Sequence, residues 1–222
     1  SSAASDVYKR QSLFITDLQE KFQTAGIEVK NSNLGQLPET TWFHYPSDYL
    51  GDIVHSLNVR SDNLYAESVL RLLSLSDHEK GSAEKGIDII RKYWQNYEAD
   101  SLELFMYDGS GLARNNKVSA KYLNCVLKET ARDSLIGEYF VQTLPLAGKE
   151  GSVATFMKHG ELPGELRLKS GSMSDVHAYA GYYTTPQNRY AIVVMINNYT
   201  CTRAQLKQKI STLLTQVLSK KE

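Results

Sequence analysis

Three runs near the C-terminus, 164–170, 176–184 and 189–197, alternate or are rich in β-branched and aromatic residues. Only a few turn-forming residues separate them. Connections this short cannot carry a parallel crossover, so the runs must pair as an antiparallel meander. The second connection, Thr185-Pro186-Gln187-Asn188, has the proline and polar residues of a tight turn. Beyond the last run, Leu206, Ile210, Leu213, Leu214 and Val217 recur at helical spacing and predict a long amphipathic helix that closes the meander.

Upstream, the period changes from two to that of a helix. Residues Val7 to Ala25 place Leu13, Phe14, Leu18 and Phe22 on one helical stripe, and Gly26 is a natural stop. Ile27-Glu28-Val29 reads as a short strand, and Asn31 to Thr41 as a polar loop. Ser47 is placed to cap a helix carrying Leu50, Ile53, Val54 and Leu57. Ser61-Asp62-Asn63 precedes a helix with Leu64, Val69, Leu70 and Leu73. Ser82 caps another, with Ile87, Ile90 and Trp94 inward. Residues Leu102 to Met106 alternate as a strand, Asp108-Gly109-Ser110-Gly111 forms a turn, and Ser119 starts a helix with Tyr122, Leu123, Val126 and Leu127. Helices followed by an antiparallel meander and a closing helix argue for an α+β fold, with helices packed against the sheet.

At 222 residues the chain suits one large domain with a sizeable core. Its formal net charge is zero and no basic cluster marks a nucleic-acid surface. No apolar run is long enough to span a membrane, and the start, Ser1 to Asp6, lacks the basic and apolar segments of a signal peptide. Cys125 and Cys201 are far apart; isolated buried thiols are preferred over a disulfide. The fourteen tyrosines fill half-buried strand positions as readily as they suit a polar extracytoplasmic setting. His44, His55, His78, His159 and His177 fall into no metal-ligand spacing, so no metal is assigned.

The residues that carry chemistry lie in two short strings. Lys169-Ser170-Gly171 ends the first strand of the meander. There Lys169 offers a fixed positive charge, Ser170 a hydroxyl donor for a carboxylate, and Gly171 a strand edge open to a substrate backbone, with the Ser172 N–H available to a developing oxyanion. Ser61 and Asn63, two residues apart, can face one cleft. Ser61 would relay a proton and Asn63 would hold a substrate amide. Taken singly, these strings are better read as a polar strand end and a helix cap. A lone Ser-x-x-Lys, Ser82-Ala83-Glu84-Lys85, follows the Ser-x-Asn and sits in polar surroundings. It is read as a cap on a solvated helix, not as a nucleophile with its base.

Taken in order, the strings resemble one family. Ser61-Asp62-Asn63-Leu64-Tyr65-Ala66-Glu67, then Tyr107-Asp108-Gly109-Ser110-Gly111-Leu112-Ala113-Arg114-Asn115-Asn116 with Val118-Ser119-Ala120, then Leu144-Pro145-Leu146-Ala147-Gly148 with Gly151-Ser152, then Lys169-Ser170-Gly171-Ser172 and Ala180-Gly181-Tyr182 are similar to successive segments of the D-Ala-D-Ala carboxypeptidase/endopeptidase family, the class C low-molecular-mass penicillin-binding proteins. The resemblance covers roughly residues 50–200. It implies a periplasmic serine enzyme that acts on peptidoglycan stem peptides through an acyl-enzyme and is acylated by β-lactams, with no metal or organic cofactor. By motif match, Ser61, Asn63 and Lys169 are catalytic, and Ser170, Gly171 and Ser172 bind substrate.

Three departures qualify it. Ser170 stands where the family has threonine, which keeps the hydroxyl. Trp42 to Tyr49 keeps only part of the family's approach to the second motif. The nucleophile motif, Ser-x-x-Lys ahead of the Ser-x-Asn, is missing. The resemblance therefore implies that residues 1–222 are the C-terminal portion of a penicillin-binding catalytic domain, inactive alone, with a sheet edge left open to self-association. A serine β-lactamase is the neighbouring enzyme alternative. The Asp108 to Leu112 segment and the lack of a deacylating glutamate near Ser61 speak against it. The non-enzyme alternative is a truncated relative that binds peptidoglycan or a partner protein. A generic α+β protein with coincidental motifs is disfavoured by the number of matches in order.

Overall fold

The computed structural model describes residues 2–28, 46–76, 80–97, 103–157 and 162–220. The chain divides into two compact units, Ser1–Asp48 and Tyr49–Glu222. In the first, α1 runs Ser2–Thr24 and ends at Gly26 in the left-handed region (φ 71°). There the Gly26 N–H donates to the Gln23 carbonyl and the Ile27 N–H to the Phe22 carbonyl. This is the hydrogen-bonded helix stop that glycine permits. The stripe read from the sequence leaves Leu13, Phe14 and Leu18 exposed. Ile27 and Glu28 are irregular, following the left-handed glycine that turns the chain out of the helix, and no strand lies beside them among the described residues. Val29, the loop expected over Asn31 to Thr41, Trp42, and His44, His78 and His159 lie outside the described residues.

The second unit is built on the meander. Strands β3 (Glu165–Met173), β4 (Val176–Thr184) and β5 (Arg189–Asn197) pair antiparallel in that order. They follow β1 (Leu104–Phe105) and β2 (Lys117–Val118), which make a separate two-stranded ribbon. Of the strand expected over Leu102 to Met106, Leu104 and Phe105 form β1; Leu102 lies outside the described residues. Register fixes the two faces of the main sheet: Leu166 lies opposite Tyr183, Leu168 opposite Gly181 and Tyr179 opposite Val194. That face carries Leu166, Leu168, Tyr179, Tyr183 and Ile192. It packs on α7 (Arg203–Leu218) through Leu206, Ile210, Leu214 and Leu218. The four α7 anchors are spaced by four, so Leu213 and Val217, read from the sequence as part of the same face, point outward and stay about half exposed. Phe156 stacks on Tyr179, with ring centroids 4.4 Å apart.

The opposite face, with Ala180, Tyr182, Ala191 and Val193, packs against α5 (Ala120–Arg132) and α6 (Gly137–Thr143) through Leu127, Val141 and Leu144. The Tyr182 hydroxyl donates to the Leu127 carbonyl at 2.7 Å. The sheet is thus covered on both faces, an α+β arrangement as the periodicity requires. The buried tyrosines belong to this core. No disulfide joins Cys125 and Cys201, which are half-buried thiols. The other helices are α2 (Leu50–Arg60), α3 (Asn63–Leu72) and α4 (Ala83–Trp94). Ser47 does not cap α2; Tyr49 holds the cap position with no side-chain hydrogen bond. Ser82 does cap α4, its hydroxyl accepting from the Lys85 N–H at 3.1 Å. The pairing of β3 is extended by Leu146, which bridges to Arg167. β5 is the other edge, with no further strand beside it among the described residues.

Candidate active site

The local structure around Ser61 comes from a helix reversal made in two residues. Ser61 ends α2 in the left-handed conformation (φ 55°, ψ 46°), and its N–H donates to the Leu57 carbonyl. For a serine this backbone is strained by roughly 1–2 kcal/mol. Asp62 then starts α3, its carboxylate accepting from the N–H groups of Leu64 and Tyr65 at 2.9 and 3.2 Å. Of the three residues Ser61-Asp62-Asn63, the cap is therefore Asp62 alone. Ser61 is left exposed at the junction with its hydroxyl unused by either helix.

That hydroxyl meets Lys169. The Lys169 ammonium donates to Ser61 Oγ at 2.8 Å and to the Ser170 carbonyl at 2.9 Å. Burial lowers the lysine pKa below its ordinary value, because the charged form loses hydration there. Since Ser61 accepts from the ammonium, its own proton is free to be given to a third group. Chemically, such a pair has what a proton donor and relay needs.

Ser170 makes a second contact. Its hydroxyl lies 2.7 Å from that of Ser152, which belongs to a single 3-10 turn, Gly151–Val153. Gly171 follows, exposed, with nothing within 4 Å of the point a Cβ would occupy. Ser172 is exposed beside it. Asn63, the first residue of α3, is half-buried, and its side-chain amide has no hydrogen-bond partner among the described residues. The fold therefore joins Ser61, Lys169 and Ser170 directly and leaves Gly171 and Ser172 open beside them. Asn63 stays two residues from Ser61 without a bond to the cluster.

The intervening motifs turn out to be its supports. Asp108 accepts from the N–H groups of Gly111 and Ala113 and from the Asn116 amide at 2.8, 2.6 and 2.8 Å. Asn116 in turn accepts from the Tyr107 N–H at 2.7 Å. This loop is tied to α3 by Glu67, whose carboxylate accepts from both Gly109 and Ser110 N–H at 3.1 Å. The Leu144 to Ala147 segment runs beside β3: the Leu168 N–H donates to the Pro145 carbonyl and the Ala147 N–H to the Leu166 carbonyl. Arg167, one position before the buried Leu168, donates to the Leu144 carbonyl at 3.0 Å.

The sequence did not single out Arg167 and Ser152 as individual contributors. Arg167 was visible only as a polar residue in an alternating strand, and its partner is a distant backbone carbonyl. Ser152 appeared only inside a matched segment. His177 is a core residue: it is 2% exposed and two positions from Tyr179, on the α7 side of the sheet. A groove of about 730 Å³ between residues 155–157 and α7 contains none of the site residues. His55 is exposed on α2.

Comparison with known proteins adds a consistent relationship. A model of the D-Ala-D-Ala carboxypeptidase 3 (S13) family matches residues 1–220. The chain is 27% identical over 206 residues to the D-alanyl-D-alanine carboxypeptidase DacB of Haemophilus influenzae, covering 89% of this chain and 42% of that protein. It is 25% identical over 193 residues to the D-alanyl-D-alanine carboxypeptidase of an Actinomadura strain, covering 82% of this chain and 36% of that one. In three dimensions it is similar to penicillin binding protein 4 of Haemophilus influenzae, solved in complex with a β-lactam. The TM-score is 0.71 at 23% identity, over 92% of this chain and 50% of that chain, which establishes the fold. The chain spans less than half the length of these curated relatives.

Proposed function

The chain belongs to the D-Ala-D-Ala carboxypeptidase 3 (S13) family, and on that premise we propose that it forms part of a serine peptidase of peptidoglycan stem peptides. It would supply the proton relay and the carboxylate clamp of the reaction. The observation that carries this reading is the 2.8 Å bond from Lys169 to Ser61, which brings the Ser61-Asp62-Asn63 and Lys169-Ser170-Gly171 strings together across 108 residues. In this reading the substrate lies along the open edge at Gly171 as an added strand. Ser170 donates to its carboxylate, Asn63 holds its backbone amide, and Ser61 passes a proton to the leaving amine while Lys169 holds the local field positive. β-Lactams would lie along the same strand edge, with a carboxylate at the same clamp.

In this reading Ser82 is a helix cap, its hydroxyl accepting from the Lys85 N–H, and the acylated serine lies on polypeptide other than residues 1–222. A periplasmic location goes with this reading, because peptidoglycan stem peptides are the substrates it assigns. The open edge of β5 also favours association with a further strand, so the isolated chain is expected to self-associate at high concentration.

The test is covalent labelling with a fluorescent penicillin. The product of the longest reading frame that includes this chain should label, residues 1–222 alone should not, and Lys169→Ala in the longer protein should weaken labelling. If residues 1–222 label by themselves, the nucleophile is within them. If neither labels, the peptidase reading gives way to a non-catalytic binder of stem peptides, a role the same clamp could serve.

A further inference from the structure

The contact that the reaction scheme above leaves unused is Ser152 Oγ to Ser170 Oγ, at 2.7 Å. Two neighbouring hydroxyls share one proton between them, and the other proton goes elsewhere. When a carboxylate seats against Ser170, the charge-assisted bond takes the Ser170 proton, because such bonds are roughly twice as strong as neutral ones. Ser170 must then accept from its neighbour, and that neighbour is Ser152. The direction is thus set as Ser152 to Ser170 to carboxylate, a chain in which each bond polarises the next.

Ser170 needs such a partner. A serine lacks the second γ substituent that stiffens χ1 in a β-branched residue, so its hydroxyl is free to swing between staggered positions. Ser152, by contrast, is carried on a turn with little freedom. Gly151 before it has φ 52°, and a Cβ there would come within 2.3 Å of the Val59 carbonyl. Val153 after it is fully buried, and its carbonyl accepts from the Gly148 N–H at 3.0 Å. The end of α2, which presents Ser61, therefore also backs the turn that presents Ser152.

Resting on the peptidase reading, we propose that Ser152 is a positioning residue for substrate specificity: it donates to Ser170 and holds that hydroxyl aimed at the free carboxylate of a peptide or β-lactam. It touches no reacting atom.

The experiment uses the longest reading frame that includes this chain. Hydrolysis of a peptide ending in D-alanyl-D-alanine is compared with that of its C-terminal carboxamide, for wild type, Ser152→Ala and Ser152→Thr. Ser152→Ala should raise KM for the carboxylate peptide by roughly five- to tenfold, with kcat little changed, the worth of one ordinary hydrogen bond. The carboxamide should be unaffected, and Ser152→Thr should restore the wild-type preference. Ser152 is exposed and Val153 anchors the turn, so the alanine variant should fold; its Tm confirms this. Equal loss on both peptides, or no loss on either while the wild type discriminates, overturns the role of Ser152 and leaves the peptidase reading standing. A wild type that neither turns over the carboxylate peptide nor binds it in an NMR titration overturns both.

Discussion

Asn58 and Thr143, 85 residues apart in the chain, share a buried hydrogen bond in which the Asn58 amide donates to Thr143 Oγ1 at 3.1 Å. The Thr143 hydroxyl in turn donates to the Phe140 carbonyl at 2.7 Å. The bond joins the last turn of α2 to the end of α6, and Ser61 is the residue that terminates α2. The position of Ser61 opposite Lys169 therefore depends on a polar contact inside the helical layer as well as on apolar packing.

Replacing Asn58 with Ala should lower stability by about 1–3 kcal/mol, through the lost bond and an unsatisfied Thr143 acceptor. The urea midpoint should fall with an unchanged slope. Thr143→Val should cost a similar amount, and the double variant should cost less than the two together. Strict additivity across that cycle counts against the shared bond as a stabilising element.

Gly109 and Gly171 make opposite demands. A Cβ on Gly109 would come within 2.6 Å of the Ala66 carbonyl, whereas one on Gly171 meets nothing within 4 Å. Gly109→Ala must push the 107–116 loop off α3 and stretch its bonds to Glu67. It should cost about 1–3 kcal/mol, the usual range for overpacking. Gly171→Ala should leave Tm within a degree or two. In the longer protein it should slow penicillin acylation, because the methyl occupies the strand edge that the ligand backbone needs. A thermally normal Gly171→Ala protein that labels at the wild-type rate argues against strand addition at that edge.

His177 predicts an acid sensitivity. It is buried edge-on against Tyr179, with centroids 4.8 Å apart, and neither ring nitrogen has a hydrogen-bond partner in the described structure. Burial lowers its pKa first, with Lys207 and Arg203 adding to the effect. The unfolded chain takes up the proton near pH 6.5 while the folded chain still refuses it, so stability is lost as pH falls from 6.5 through the folded value. His177→Phe keeps the aromatic packing and has no proton to gain. Its Tm should fall less than that of the wild type between pH 7.5 and pH 5. Parallel falls in the two proteins assign the acid sensitivity to other groups.

Much of the fold was legible because its signals are local. Alternation in 164–170, 176–184 and 189–197 reports burial on one face of each strand, and the observed strands agree to within three residues at any end. The α2 start was misread because Ser47 is a good cap by residue type, while the chain reaches the helix two residues later at Tyr49. Ile27 and Glu28 are irregular, because so short a run carries too little pattern to outweigh the left-handed glycine before it. Helix α6 was not foreseen, since its seven residues span two turns and bury chiefly Val141. For the site, the motif strings named Ser61, Lys169 and Ser170. The residues that hold them, such as Arg167 on the Leu144 carbonyl and Asn58 on Thr143, act through long-range polar contacts that leave no periodic trace.

Lys169 should be dispensable for folding. It holds a charge whose pKa is lowered by burial, so below its folded pKa the native state carries a desolvation cost that the unfolded chain escapes. That cost disappears as pH rises through the folded value toward 10.5, and stability contributed in this way is regained with increasing pH. Tyr179 works in the opposite sense. Burial pushes its pKa up to about 12, so stability is lost above pH 10 as the unfolded phenol ionises first. Only the difference between wild type and Lys169→Met isolates the lysine, because Tyr179 contributes equally to both. At neutral pH the methionine variant should be at least as stable as the wild type, since its thioether fills the space without a charge, and Ser61 is exposed enough to bond water instead. The wild type should close the gap as pH approaches 10. A variant that is stable yet no longer binds carboxylate ligands marks a residue kept at a cost to stability for the sake of the site. A loss of more than about 1 kcal/mol at pH 7 makes the lysine a structural link between β3 and the α2–α3 junction instead.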